Sequence, residues 1–162
     1  MVLILVNLIS AEVIANYEEI LLSSIALTFF IPLLIATGGN AGAQSATLMV
    51  RAIATGDVHL NRWFWALSRE IGIGLFLGAT MGLVSWLLGI YRGGWEIAVV
   101  VSIAMVCIVM VSNLMGVVLP FLLTRFRLDP AVVSNPLITS IADVVGLIIY
   151  FSIATRVLGI WG

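Results

Sequence analysis

Long apolar stretches separated by short polar breaks constrain this chain of 162 residues more than any other feature of its sequence. Hydrophobic residues make up 62% of the chain and charged residues 9%, and the mean hydropathy of +1.24 lies far above that of water-soluble domains. A helix needs about 20 apolar residues to cross a bilayer, so the chain has room for about five or six crossings. The sequence therefore predicts a multi-pass membrane protein with a single domain and no sizeable aqueous part.

Five apolar segments can be distinguished, and we predict that all of them are helical. Their approximate bounds are 2–16, 20–54, 66–90, 97–123 and 130–158. An open sheet would leave its edge groups unsatisfied in lipid, and the segments lack the period-two alternation of barrel strands. The second segment contains Pro32 and a glycine-rich run, so we expect it to be kinked or broken. Gly74, Gly78 and Gly82 recur every four residues and predict tight helix packing.

The arginines indicate how the helices are oriented, because positive residues favour cytoplasmic loops. Arg92 and Arg156 fall on one side of the predicted membrane. The other five fall between the second and third segments or between the fourth and fifth: Arg51, Arg62, Arg69, Arg125 and Arg127. The amino terminus is thus predicted to be cytoplasmic and the carboxyl terminus outside. Lysine is absent and the net charge is −1, so the chain has no basic patch of the kind that nucleic acid or anionic lipid would require. Membrane lipid is an expected partner because the segments are apolar, and nucleic acid is not expected.

Asp143 is the most informative polar residue, because it lies inside an apolar segment where a carboxylate has no bulk water. A lone acid at membrane depth costs about 2.5–3.5 kcal/mol on insertion scales and by default marks an ion or substrate path. On a helix, Asn135, Thr139, Asp143 and Gly146 fall within about 80° of one another and form one polar, small-residue stripe. The alternative is a buried carboxylate bonded to neighbouring helices, although no basic residue lies at a comparable depth. The pattern favours a pore lined by this stripe.

The glycine-rich run of the second segment leaves two interpretations open. Gly38, Gly39 and Asn40 could form non-helical backbone that lines water, which membrane proteins tolerate only inside a protein or a wet cavity. Alternatively, the glycines could let neighbouring helices pack closely. Composition alone does not choose between these alternatives.

Two acids are predicted near the cytoplasmic surface. Asp129 precedes Pro130, as a helix N-cap does, and Glu70 follows Arg69. On the sequence alone, capping is the favoured role. Because Glu70 and Asp129 are predicted on the same membrane face, they could also form a cation vestibule.

Three stretches carry a specific resemblance: IPLLIATGGNAGAQSAT at 31–47, DPAVVSNPL at 129–137 and ADVVG at 142–146. In this order and spacing they resemble the membrane domain of the MgtE magnesium channel family over essentially the whole chain. The resemblance implies a homodimer of five-helix protomers in the cell membrane, with the second and fifth helices lining a central pore.

The resemblance also implies roles for individual residues. Asp143 matches the selectivity-site aspartate, and Thr139 matches the position whose backbone carbonyl supplies an oxygen to that site. Glu70 and Asp129 match acids of the cytoplasmic-side metal sites. This match favours a cation vestibule over helix capping as the role of the two acids. The pore-lining positions are matched by Asn135, Gly38, Gly39 and Asn40.

The expected function is passive conduction of Mg²⁺, with Mn²⁺ or Co²⁺ as further candidate ions. Two alternatives are a cation-coupled Mg²⁺ exchanger and a non-conducting membrane interaction module. An enzyme is not expected, because the chain has no HExxH or GxSxG motif and His59 falls in a loop. Typical family members also carry cytoplasmic Mg²⁺-sensing domains. These do not fit in 162 residues, so we expect them to be absent from this chain.

Overall fold

The computed structural model of the chain describes residues 2–57, 63–129 and 135–159. Within these ranges the chain is helical and contains no strand, which confirms the predicted all-α class. The elements are α1 (Val2–Asn16), α2 (Glu18–Ser23), a 3₁₀ helix (Ile25–Phe30), α3 (Ile31–Ala54), α4 (Trp63–Arg125) and α5 (Asn135–Leu158).

The second apolar segment is interrupted, but the interruption lies at Ser24 and not at Pro32 or the glycine-rich run, to which the sequence analysis attributed it. Ser24 adopts an extended conformation with φ −147° and ψ 95°, and the 3₁₀ helix follows it. Pro32 occupies the first turn of α3, where a backbone N–H has no partner inside the helix and its loss costs little. The glycine-rich run is continuous helix, which satisfies its backbone groups internally.

The long helix α4 is a hairpin of two arms, 63–93 and 95–125, that reverses at Gly94. Gly94 has φ 80° and ψ −169°, a conformation that is essentially restricted to glycine. We call the two parts the first arm and the second arm. The predicted third and fourth segments fall on them.

Glycines on the first arm bring the two arms into close contact. A methyl group added at Gly78 would lie 3.0 Å from the carbonyl oxygen of Val106, and one at Gly82 would lie 3.1 Å from the carbonyl oxygen of Ser102. At Gly74 the nearest backbone atom would be the Cα of Met110, at 3.3 Å. The prediction of tight packing at the four-residue glycine repeat is therefore confirmed.

The main apolar core lies where α3, the second arm and α5 meet. It also receives Leu27 and Phe30 from the 3₁₀ helix, both of which are fully or almost fully buried. The largest side chains that α3, the second arm and α5 bury in it are Leu34, Val100, Val101, Met105, Ile108, Val109, Leu147, Tyr150 and Phe151. This core fixes α3 between two neighbours, and α3 carries the glycine-rich run.

Three helical stretches are long and apolar enough to cross a membrane: Ile25–Ala54, Phe64–Arg125 and Pro136–Leu158. Because the second stretch reverses at Gly94, it supplies two arms of about 30 residues, each about 45 Å long. Helix α1 has 15 residues and a length of about 22 Å, which is less than the thickness of bilayer hydrocarbon. The count of five crossings stays a prediction.

We expect Gly89→Ala to destabilise the hairpin, because the added methyl group would lie 2.5 Å from the Cα of Ala98. Backbone atoms cannot give way without separating the arms, and overpacking of this kind costs about 1–3 kcal/mol. Gly72→Ala is the matched control, since a methyl group there meets nothing within 4 Å. Thermal unfolding in detergent should show a lower midpoint for Gly89→Ala only. Equal midpoints for the two variants would contradict the packing described here.

Candidate functional site

Asp143 lies near the middle of α5, where it faces the glycine-rich run of α3. Its Oδ1 atom is buried and has no hydrogen-bond partner among the described residues. A methyl group added at Gly39 would lie 3.3 Å from this oxygen. A buried carboxylate oxygen without a partner is costly, and inside a membrane the cost is greater than at a protein surface. The position of this oxygen is therefore not explained by a hydrogen bond to the described part of the protein.

The residues of the stripe predicted on α5 face two different neighbouring helices. Thr139 is half-buried, and its methyl carbon would be 2.7 Å from a methyl group added at Gly39, so Thr139 and Asp143 both face α3. Gly146 is buried and faces the side chain of Ile108 on the second arm, 3.6 Å from the position that a Cβ would take. Asn135 begins α5, but its side chain lies outside the described part of the structure. The structure therefore brings Thr139 and Asp143 together with Gly39.

The glycines of α3 serve close helix packing, which was one of the two interpretations that the sequence left open. Gly38 faces Ile108 and Ser112 of the second arm. A methyl group at Gly42 would lie 3.0 Å from the carbonyl oxygen of Ser112. With Gly39 against α5, this run lets α3 contact both neighbours through its backbone. Asn40 lies on an adjoining face of α3 and is exposed.

A cavity of about 370 Å³ lies between α3 and the two arms of α4. Glu70 and the buried Asn113 line it, together with Ser45, whose hydroxyl donates a hydrogen bond to the Glu70 carboxylate. The rest of its lining is mixed: Thr37, Asn40 and Gln44 are polar, and Ala41, Leu48, Ile73, Leu77, Met81 and Val109 are apolar. The cavity can hold water or a hydrated ion beside α3, and the Ser45 hydrogen bond joins α3 to the first arm.

The guanidinium of Arg69 is not paired with the carboxylate of Glu70, its neighbour in sequence. The Arg69 guanidinium sits over the ring of Trp65, 5.6 Å from the ring centroid, as a cation–π contact. Glu70 also lies within the helix that begins at Trp63, so it is not a helix cap. These contacts leave the Glu70 carboxylate directed toward the cavity and Ser45.

Asp129 is exposed and is the last residue before an undescribed stretch. Its predicted capping role concerns residues 130–134, which lie outside the described residues, as does His59. Within the part of the chain that the structure describes, no three His, Cys, Asp or Glu residues form a group that could hold a metal ion. Glu70, Asp129 and Asp143 are therefore separate acids, and none of them forms a closed ligand cage with the others.

Two residues at the site were missed from the sequence. Asn113 is the sole amide in the apolar segment 97–123, which is a signal that could have identified it. Only 2% of its surface is exposed, and it lines the cavity with Glu70. Ser45 gave no comparable signal, because its role depends on the position of the first arm.

Comparisons with known proteins show which family the chain resembles over its length. The model of the MgtE family, described as a divalent cation transporter, matches residues 31–153. The chain is also similar to curated proteins named magnesium transporter MgtE. It is 43% identical to the protein of Thermus thermophilus over 97% of this chain and 35% of that protein. It is 34% identical to the protein of Enterococcus faecalis over 94% of this chain and 34% of that protein.

A third relative, from Bacillus subtilis, has the same name and is 30% identical over 94% of this chain and 34% of that protein. The chain thus spans about a third of the length of these relatives. The family match includes Gly39, Glu70 and Asp143 and covers most of the chain. The chain therefore belongs to the MgtE family, as the resemblance of its three motifs predicted.

Proposed function

We propose that this chain forms a membrane pathway for divalent cations, with Mg²⁺ as the transported ion and Asp143 as the ligand that selects it. The observation that carries the proposal is the buried Oδ1 atom of Asp143, which faces Gly39 and has no hydrogen-bond partner among the described residues. The names of the relatives, magnesium transporter MgtE, support Mg²⁺ as the ion. Mn²⁺ and Co²⁺ are further candidate ions, since both accept oxygen and water ligands.

The chemistry of Asp143 suits a hydrated ion. Mg²⁺ dehydrates reluctantly and is usually held through one or two carboxylates with several of its waters retained. Oδ1 accepts no hydrogen bond from the described residues, so its lone pairs are not committed to another protein group. We assign the second oxygen donor to the backbone carbonyl of Thr139, one helical turn before Asp143. In this proposal Asn135 lies at the same pathway, one further turn away.

A second copy of the chain completes the pathway in this proposal. Asn40 and Gln44 are exposed on α3, and polar side chains at membrane depth favour water or protein over lipid. A two-fold dimer would surround one axis with two copies of α3 and α5, and Gly39 and Asn40 would belong to its wall. Gly38 and Gly146, which the sequence also predicted as pore-lining, pack against the second arm and would not belong to it. Two Asp143 carboxylates across the axis would hold one hydrated divalent ion.

The proposed cytoplasmic mouth of the pathway contains Glu70 and Asp129, which would concentrate cations by their charge. This orientation follows from the arginine distribution, which places the amino terminus in the cytoplasm and the carboxyl terminus outside. Glu70 is hydrogen-bonded to Ser45 of α3, so the mouth and the pathway helix are directly linked.

We expect Asp143→Asn and Asp143→Ala to reduce Mg²⁺ uptake into proteoliposomes by about 10- to 100-fold. The reason is the loss of a hydrogen bond to a charged group, worth about 1.5–3 kcal/mol, with about 1.4 kcal/mol for each factor of ten. Glu96→Gln is the matched control, because it removes an exposed carboxylate beside the turn of the hairpin. Uptake should be followed with a Mg²⁺-sensitive dye. Wild-type rates in both Asp143 variants would reject Asp143 as the selecting ligand.

The driving force distinguishes a channel from the alternatives. A channel should take up Mg²⁺ when a membrane potential is imposed without any other ion gradient. Uptake that does not depend on the membrane potential and requires a counter-ion gradient would instead indicate a coupled exchanger. Absence of uptake under both conditions, with folded protein in the vesicles, would indicate a non-conducting interaction module and would reject the channel.

We expect Gly39→Ala to impair uptake, because the new methyl group would lie 2.7 Å from the Thr139 methyl carbon and 3.3 Å from Asp143 Oδ1. Separating α3 from α5 to relieve this contact costs about 1–3 kcal/mol and displaces the carboxylate. Thr139→Ser removes the closer of the two contacts. The double variant Gly39→Ala/Thr139→Ser should therefore recover much of the lost rate in the same dye assay. If the double variant is as slow as Gly39→Ala, the methyl contact is not the cause.

A further inference from the structure

The junction that precedes α3 has an unusual geometry that the proposed pathway does not explain. After the extended Ser24, six residues form a 3₁₀ helix before the α-helix begins at Ile31. Runs of 3₁₀ helix longer than three or four residues are uncommon, because their hydrogen bonds are poorer than those of an α-helix. Leu27 and Phe30 are nevertheless buried in the main core. A contact from outside the junction must therefore stabilise its 3₁₀ conformation.

Tyr150 of α5 contacts the junction directly. Its hydroxyl donates a hydrogen bond of 2.9 Å to the backbone carbonyl of Leu27, and the side chain is 1% exposed. Its ring packs against Phe151, at 5.4 Å between ring centroids. Tyr150 and Asp143 are seven residues apart on α5, so they lie on the same face, about 10 Å apart along the axis. The face of α5 that carries Asp143 is thus tied to the chain that leads into α3.

The hydrogen bond from Tyr150 to Leu27 opposes a change of the 3₁₀ helix into an α-helix. The size of that change can be estimated from helix geometry. A 3₁₀ helix rises about 2.0 Å per residue and an α-helix about 1.5 Å, so six residues change length by about 3 Å between the two forms. A change of this size would slide α3 along α5. A Cβ built on Gly39 would lie 3.3 Å from Asp143 Oδ1, so a slide of about 3 Å would move Gly39 away from its place beside the carboxylate.

We propose that Tyr150 is a positioning residue for the Asp143 ion site. The hydrogen bond from its hydroxyl stabilises the 3₁₀ junction and thereby sets the register of α3 against α5. This register keeps Gly39 beside the Asp143 carboxylate. The inference rests on the proposed function of Asp143. It assigns to Tyr150 an effect on which ion is preferred, because the register determines how the site fits a hydrated Mg²⁺. A hydrogen bond that only stabilised the fold would change the amount of folded protein and leave the preference unaltered.

The test compares Tyr150→Phe with Tyr17→Phe. Both tyrosines pack on Phe151, with Tyr17 stacked on that ring at 4.8 Å, and each variant removes only a hydroxyl. Mg²⁺ uptake should be measured in proteoliposomes with and without competing Ca²⁺, at equal amounts of folded protein. We expect Tyr150→Phe to lower the preference for Mg²⁺ over Ca²⁺ by about two- to tenfold, the worth of one hydrogen bond. Tyr17→Phe should retain the wild-type preference.

A double variant shows whether Tyr150 acts through the contact at Gly39. If both residues set one register, Gly39→Ala/Tyr150→Phe should lose little more preference than Gly39→Ala alone, because residues that share one contact are not additive. Fully additive losses, or a wild-type preference in Tyr150→Phe, would overturn the inference. Asp143→Asn distinguishes a failure of the proposed ion site from a failure of the role assigned to Tyr150. If Asp143→Asn leaves uptake unchanged, the proposed ion site is wrong, and the inference about Tyr150 is wrong with it.

Discussion

Close backbone contact around α3 is the constraint on which the rest of the structure depends. Lipid hydrocarbon is as apolar as a leucine side chain, so helices in a membrane are held together by contact and hydrogen bonds. At Gly116 of the second arm, the space for a side chain is taken by the carbonyl oxygen of Gly42 and by Ser45. At Gly39 the same closeness occurs toward α5. Larger residues at these positions would separate α3 from both neighbours.

This closeness gives Asp143 its environment. Because α3 approaches α5 at Gly39, the Asp143 carboxylate lies beside a position of α3 that carries no side chain. Its Oδ1 atom is buried and has no hydrogen-bond partner among the described residues. Packing and charge are therefore linked, since the glycine that permits close helix contact lies directly beside the acid.

The sequence predicted what depends on composition and period, and missed what depends on which faces meet. Apolar length indicated the helices, and the lone acid in an oily segment identified Asp143. The break was misplaced because Pro32, in the first turn of α3, does not interrupt the helix. The actual break at Ser24 is accompanied by burial of Leu27 and by a hydrogen bond from Tyr150, which lies 123 residues after Leu27. No local pattern carries that information.

The same reasoning applies to the cavity between α3 and the arms of α4. Glu70 was recognised as an acid near a membrane surface, but its partner Ser45 lies 25 residues earlier and becomes visible only when α3 and the first arm are placed side by side. Asn113 differs, because a single amide in an apolar segment is detectable in the sequence itself. A buried amide in such a segment is as informative as a buried acid, since both require a polar environment that the protein must supply.

The tight reversal at Gly94 has a consequence for biosynthesis. The two arms of α4 are consecutive in the chain, and their contacts begin beside the turn, where Gly89 meets Ala98, and continue outward to Gly74. Local contacts of this kind form early, whereas α3 must wait for α5, which is synthesised about a hundred residues later. The hairpin can thus enter the bilayer as one preassembled unit. It would then offer a preformed surface against which α5 packs last.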